Sequence, residues 1–186
     1  MFPVYFELGI DHILDKNAYD HVLFIIALCI IYSFKEWKNV LLLVTAFTIG
    51  HSLTLALAAF DIIVVEASVV EFLIPFTILI TAISNLFNKG VYYRQYRLQY
   101  MIALFFGFIH GLGFSNFFKA ILGKEGGIVG PLFAFNIGVE AGQVLMVLAI
   151  LAISYVALEL LKIKRIYWVR IISGMIALVA LKLMWQ

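Results

Sequence analysis

The sequence predicts an all-α, polytopic membrane protein, and three observations carry that reading. Of 186 residues, 65% are hydrophobic and only 13% are charged, whereas a soluble domain is roughly half apolar. The apolar residues fall into runs of about 20, the length a helix needs to cross a bilayer core. Short segments between those runs hold most of the Lys and Arg. About six transmembrane helices are expected, preceded by a short amphipathic N-terminal segment, in a single integral membrane domain over residues 1–186.

Met1 to Tyr19 reads as an amphipathic stretch on the outer surface, with Phe2, Tyr5, Phe6, Ile10, Ile13 and Leu14 on its apolar side. No secretory signal is expected there, because Glu7, Asp11 and Asp15 interrupt the first apolar stretch and no basic region precedes it. The polar side carries Asp11 and His12, and a second Asp-His pair follows at Asp20 and His21. A solvated acidic helix end accounts equally well for Asp11 and Asp15. At Asp20 and His21 the apolar run begins at once with Val22-Leu23-Phe24, drawing the pair toward the bilayer.

The expected spans are Asp20 to Phe34, Val40 to Phe60, Val70 to Phe87, Leu98 to Phe118, Gly130 to Leu158 and Ile166 to Met184. The second holds His51 near its centre, within Phe47-Thr48-Ile49-Gly50-His51-Ser52-Leu53-Thr54-Leu55. A polar side chain at that depth faces a bundle interior or a wet cavity. The third begins with Glu71, which either reaches the outer interface or lines a cavity, and Pro75 predicts a kink in it. The fourth places His110 about halfway down, beside the small-residue pair Gly107 and Gly111, which permits close helix approach. In the fifth, Asn136, Glu140 and Gln143 share one face, with Glu140 about 14 Å deep at a rise of about 1.5 Å per residue. A carboxyl there is either protonated or partnered by a cation. The sixth, with Ser173 and Gly174, reads as scaffold.

Nine of the thirteen basic residues, Lys35, Lys38, Lys89, Arg94, Arg97, Lys162, Lys164, Arg165 and Arg170, follow the first, third and fifth spans. The positive-inside rule then puts both termini in the periplasm. Topology accounts for these charges, so nucleic acid is not an expected partner; the lipid bilayer is. Tyr92, Tyr93, Tyr96 and Tyr100 read as an interfacial belt. A single cysteine, Cys29, excludes an internal disulfide and a thiolate-rich metal centre. Imidazole with carboxylate suits a borderline divalent transition metal. Candidate ligands are Asp20, His21, His51, His110 and Glu140, then Asp11, His12 and Glu71, with Ser52, Asn116, Asn136 and Gln143 as supporting hydrogen-bonding groups.

Asp20-His21-Val22-Leu23-Phe24, Phe47 to Leu55, Phe108 to Phe114 and Phe135 to Gln143 together resemble the HupE/UreJ family of hydrogenase and urease accessory membrane proteins. Gly50-His51-Ser52 is also similar to a signature of the separate nickel/cobalt transporter family. The chain departs from the HupE/UreJ pattern in having Asn17-Ala18-Tyr19, without glycine, before the first-helix pair. The resemblance implies a permease of the bacterial inner membrane that carries Ni²⁺ or Co²⁺ to a metalloenzyme. The expected path runs from Asp20 and His21 at the mouth to a midplane site of His51, His110 and Glu140. The competing expectation is an intramembrane Zn²⁺-dependent hydrolase, with the histidines on zinc and Glu140 as general base.

Overall fold

A computed structural model describes residues 1–15, 20–87, 96–122 and 127–185, without the side chains of Tyr96 and Leu122. Asn17 to Tyr19, the basic residues Lys89 and Arg94, and the tyrosines Tyr92 and Tyr93 lie outside the described residues, so the expectations placed on them do too. Among the described residues there are eight α-helices and no strand. They are α1 (Phe2–Leu14), α2 (Asp20–Cys29), α3 (Trp37–Ala59), α4 (Ala67–Phe87), α5 (Tyr96–Gly113), α6 (Ser115–Leu122), α7 (Val129–Tyr155) and α8 (Arg165–Leu183). A 3₁₀ turn, Phe34–Glu36, leads into α3, and a π-helical turn, Val156–Leu160, ends α7.

Four helical segments are long and apolar enough to cross a bilayer: Phe34–Ala59, Ala67–Phe87, Val129–Leu160 and Arg165–Leu183. The pair α5 and α6, bent by 47° where they meet, counts as a fifth when taken as one broken span. The expected first span, Asp20 to Phe34, is not one, because its helix stops at Cys29. Its 10 residues reach only about 15 Å, half the bilayer core. The apolar sequence continues, but a capping box intervenes: the Ser33 hydroxyl and backbone N–H donate to the Glu36 carboxylate at 2.8 and 3.0 Å, starting the next helix. Arg165 donates to the Ile31 carbonyl past the end of α2 and stands 3.6 Å from Glu36.

The bundle is organised in helix pairs, α3 with α5, α1 with α7, and α4 with α8. The first two are backbone-to-backbone packings made possible by glycine. On α5, Gly107 lies against the Phe47 carbonyl and Gly111 against that of His51, while Gly50 of α3 lies against Leu104. Contacts advance together along both helices, so α3 and α5 run parallel. Gly9 of α1 meets Gly138 and the Phe135 carbonyl of α7, with Ile13 beside Gly142. Gly9 and Ile13 are buried. The N-terminal helix is therefore docked into the bundle along α7, and does not lie on the membrane surface as its amphipathic pattern suggested.

α3 ends as its sequence allows. Asp61 takes the left-handed conformation, φ 57°, and Ile62 N–H reaches back to the Leu57 carbonyl at 2.9 Å. Lys119 of α6 pairs with Asp61, closing this end of the bundle, called here the Asp61 end. The opposite, Arg165 end gathers the start of α3, the start of α8 and the C-terminal end of α2.

Candidate metal centre

Two interruptions of helix meet at one point. α1 brings His12 in its last turn, α2 brings Asp20 and His21 in its first, and α5 brings His110 just before its bend into α6. His51 comes from α3, about two turns short of its end. The glycine contacts let α3 and α5 approach closely enough for His51 and His110 to share this centre.

All four histidines of the chain converge there. Ring centroids are 4.5 Å apart for His12 and His21, 5.4 Å for His21 and His110, 5.8 Å for His12 and His51, and 6.0 Å for His21 and His51. Two sets offer ligand atoms within 4.8 Å of one another: His12, His21 and His51, and Asp20, His21 and His110. His21 belongs to both. Its Nδ1 stands 3.3 Å from the Asp20 carboxylate.

Most of the polar atoms in these side chains are left without a hydrogen bond among the described residues. His12 Nε2, both ring nitrogens of His21 and of His51, His110 Nδ1 and Asp20 Oδ1 are buried without a hydrogen-bond partner among the described residues. Each such atom costs about 1–3 kcal/mol, so a set this dense is costly unless something else satisfies it. A cation accepting lone pairs from several of them does so at once.

His110 shows how a neighbouring group can set an imidazole for coordination. The Thr77 hydroxyl donates to the Ile74 carbonyl at 2.8 Å and stands 3.1 Å from His110 Nε2. A hydroxyl has one proton, so Thr77 accepts from Nε2–H. That sets the tautomer in which Nδ1 carries the free lone pair. Thr77 is not among the candidate residues the sequence offers, and its place about one turn after Ile74 carries no signal of it. Thr77→Val removes the acceptor and keeps the shape. Metal affinity measured by calorimetry on the purified protein is expected to fall about 10–100-fold, the range for such supporting groups.

Around the polar cluster is an aromatic shell. Phe114, at the α5–α6 bend, lies 3.9 Å from His12 between ring centroids and stacks on Phe135 at 4.9 Å and 7°. Phe24 and Phe47 stand 4.9 and 5.1 Å from His110. Such a shell keeps bulk water from the ligands. A cavity of about 310 Å³ gives access from the Asp61 end, with His12, Asp20, His21 and His110 in its lining. Asp15, Glu71 and Asn116 also line it.

The expected residues thus divide. Asp20, His21, His51 and His110 come together, and His12 joins them fully. Glu71 and Asn116 lie on the access cavity, while Asp11 is exposed on α1. The histidines form one cluster, whereas the sequence suggested a string from mouth to midplane.

Glu140 stands apart from this cluster. It lies in a separate groove between α1, α3 and α7, where it accepts from the Thr45 hydroxyl at 2.6 Å. Ser52 donates to Asn136 at 2.7 Å and Thr48 to Gln143 at 2.6 Å, so the three expected supporting residues Ser52, Asn136 and Gln143 are engaged with the α3–α7 seam and not with the imidazoles. Depth along α7 puts Glu140 at a level comparable with the cluster, but the helix turns it to another face. The hydrolase reading placed Glu140 beside the imidazoles as base; here its carboxylate accepts from Thr45 in the α3–α7 groove instead.

The family described as HupE / UreJ protein has a sequence model that matches residues 1–186, the whole chain. No curated protein and no solved structure matches.

Proposed function

The chain belongs to the HupE/UreJ family, and on that premise we propose that it carries a divalent transition metal ion, Ni²⁺ or Co²⁺, across the bacterial inner membrane to supply a metalloenzyme. The observation that supports this most is the set of buried, hydrogen-bond-free imidazole nitrogens around His21. Imidazoles with one carboxylate suit a borderline cation better than Mg²⁺ or Ca²⁺. Asp15 and Glu71 on the access cavity raise the local cation concentration. The overlap at His21 lets an ion exchange His12 and His51 for Asp20 and His110 while one ligand stays in place, which suits transfer more than permanent retention.

The experiment is Ni²⁺ calorimetry on purified protein, paired with accumulation in cells that lack other nickel uptake. Stoichiometric binding that fails in acid, where protons compete for the imidazoles, supports the reading, and its absence contradicts it. Glu140→Gln is expected to leave Ni²⁺ affinity within about twofold of wild type, since separate sites without shared partners behave independently. A large loss of affinity in that variant would return Glu140 to the ion's ligand set.

The basic residues Lys35, Lys38, Lys162, Lys164 and Arg165 belong to the Arg165 end, and the positive-inside rule makes that end cytoplasmic. Both termini are then periplasmic, and access to the cluster is from the periplasm. A phosphatase fused after Gln186 is expected to be active, and a fluorescent protein there dark; the reverse pattern would invert the orientation.

A further inference from the structure

On the side of the cluster facing the Arg165 end, three phenylalanines close on one another. Phe24 lies 4.9 Å from Phe47 and 5.9 Å from Phe106 between ring centroids. Phe24 and Phe47 are 0% and 1% exposed, and both also pack on His110. Beyond them is a second cavity of about 140 Å³, with Phe106 in its wall. Its lining joins the end of α2 to α4 and α5 and includes Thr81, Ser84, Asn85 and Gln99, together with Tyr32.

This polar set is uncharged and rich in oxygen. The Thr81 hydroxyl donates to the Thr77 carbonyl at 2.8 Å, so its oxygen has lone pairs left to offer. Asn85 Nδ2 donates to the Ala27 carbonyl at 2.7 Å, and Tyr32 donates to Gln99 Oε1 at 2.8 Å. The C-terminal end of α2, with Ala27 and Leu28 in the lining, adds the partial negative charge of its carbonyls. Arg165 stands near that end, but Glu36 offsets its charge at 3.6 Å.

We propose that this cavity is a release-side cation site, in which neutral oxygens hold the transported divalent ion after it leaves the imidazoles, and that Phe24, Phe47 and Phe106 form the dry barrier between the two. The proposal rests on the transport reading above. Neutral oxygen is a weaker ligand than imidazole for a borderline cation, so affinity falls along the path, as release requires. A barrier of packed rings holds no water for an ion to use, so the rings must part for each transfer. Phe106 joins the barrier to the inner cavity, packing on Phe24 and lining the cavity wall.

The test uses the full-length protein in proteoliposomes with Ni²⁺ as the probe, and compares uptake with equilibrium binding. Gln99→Leu combined with Thr81→Val removes oxygens while keeping volume. Uptake is expected to fall roughly tenfold while Ni²⁺ binding, held by the imidazoles, stays within about twofold. Ser84→Ala added to Thr81→Val gives a gentler pair with the same expected direction. Phe106→Ala is expected to raise passive Ni²⁺ entry several-fold at unchanged binding. Wild-type binding and uptake with undiminished uptake in both oxygen-deleted variants overturns the inner site alone. Loss of binding together with uptake in those variants also overturns it, by making them parts of the scaffold. A wild-type protein that binds no Ni²⁺ removes the transport reading and this site with it.

Discussion

His21→Ala is expected to lose Ni²⁺ binding by two orders of magnitude or more, roughly, and cellular accumulation with it, the largest effect of any single ligand substitution. The reason is its position in both sets of potential ligands. Removing His12 or His51 leaves Asp20, His21 and His110 intact, and removing His110 leaves His12, His21 and His51. Removing His21 leaves neither. His12→Ala and His110→Ala should therefore each retain measurable binding, and the double variant should approach His21→Ala. Calorimetry on the four proteins at equal detergent-solubilised yield decides the ranking. His21→Ala binding as well as His12→Ala would mean that the two sets do not share a ligand.

Gly107→Val is expected to cost both stability and binding, although the residue touches no ion. A Cβ at Gly107 would run into the Phe47 carbonyl and come within 3.0 Å of the His51 backbone nitrogen. These are backbone atoms and cannot rotate away, so α3 and α5 must separate. Overpacking of this kind costs about 1–3 kcal/mol, and the separation falls where His51 and His110 are brought together. Gly174→Ala provides the control: a Cβ there meets nothing, and alanine is the better helix former. Thermal unfolding in detergent, with Ni²⁺ affinity on the same samples, is expected to show a lowered midpoint and lost binding for Gly107→Val, with neither change for Gly174→Ala. A Gly107→Val protein that melts and binds like wild type would show that the close α3–α5 approach is not needed.

Helix and membrane character were legible in the sequence because both follow from local composition: long apolar runs and basic connections. The residue types that cluster were legible as well, since an imidazole in an apolar run stands out whatever it packs against. What could not be read was direction around the helix axis. Glu140, His51 and His110 were grouped because they lie at similar depth, but depth fixes only one coordinate. Glu140 turns to Thr45 and the α3–α7 groove, while Phe135, five residues earlier, faces His12.

The place of His12 was hidden for a related reason. Its helix has an amphipathic pattern that suits a membrane surface, and only the contact of Gly9 with Gly138 shows that it packs along α7. The early end of α2 was in fact written in the chain as Ser33-Phe34-Lys35-Glu36, a capping box within an apolar run. Hydrophobicity alone passed over it. Thr77 was invisible for want of any local signal, because its importance depends on His110, 33 residues away.

The most direct measurement is X-ray absorption at the nickel edge on Ni²⁺-loaded wild-type protein and His21→Ala. The expected spectrum for wild type is a shell dominated by imidazole nitrogen at about 2.0–2.1 Å, the usual range for His on a borderline divalent metal, with a minor carboxylate contribution and no sulfur. In His21→Ala that imidazole signature should vanish with the bound metal. A shell of oxygen alone, or an unchanged nitrogen shell in His21→Ala, would place the ion elsewhere in the protein and contradict the assignment of the four-histidine cluster as its binding centre.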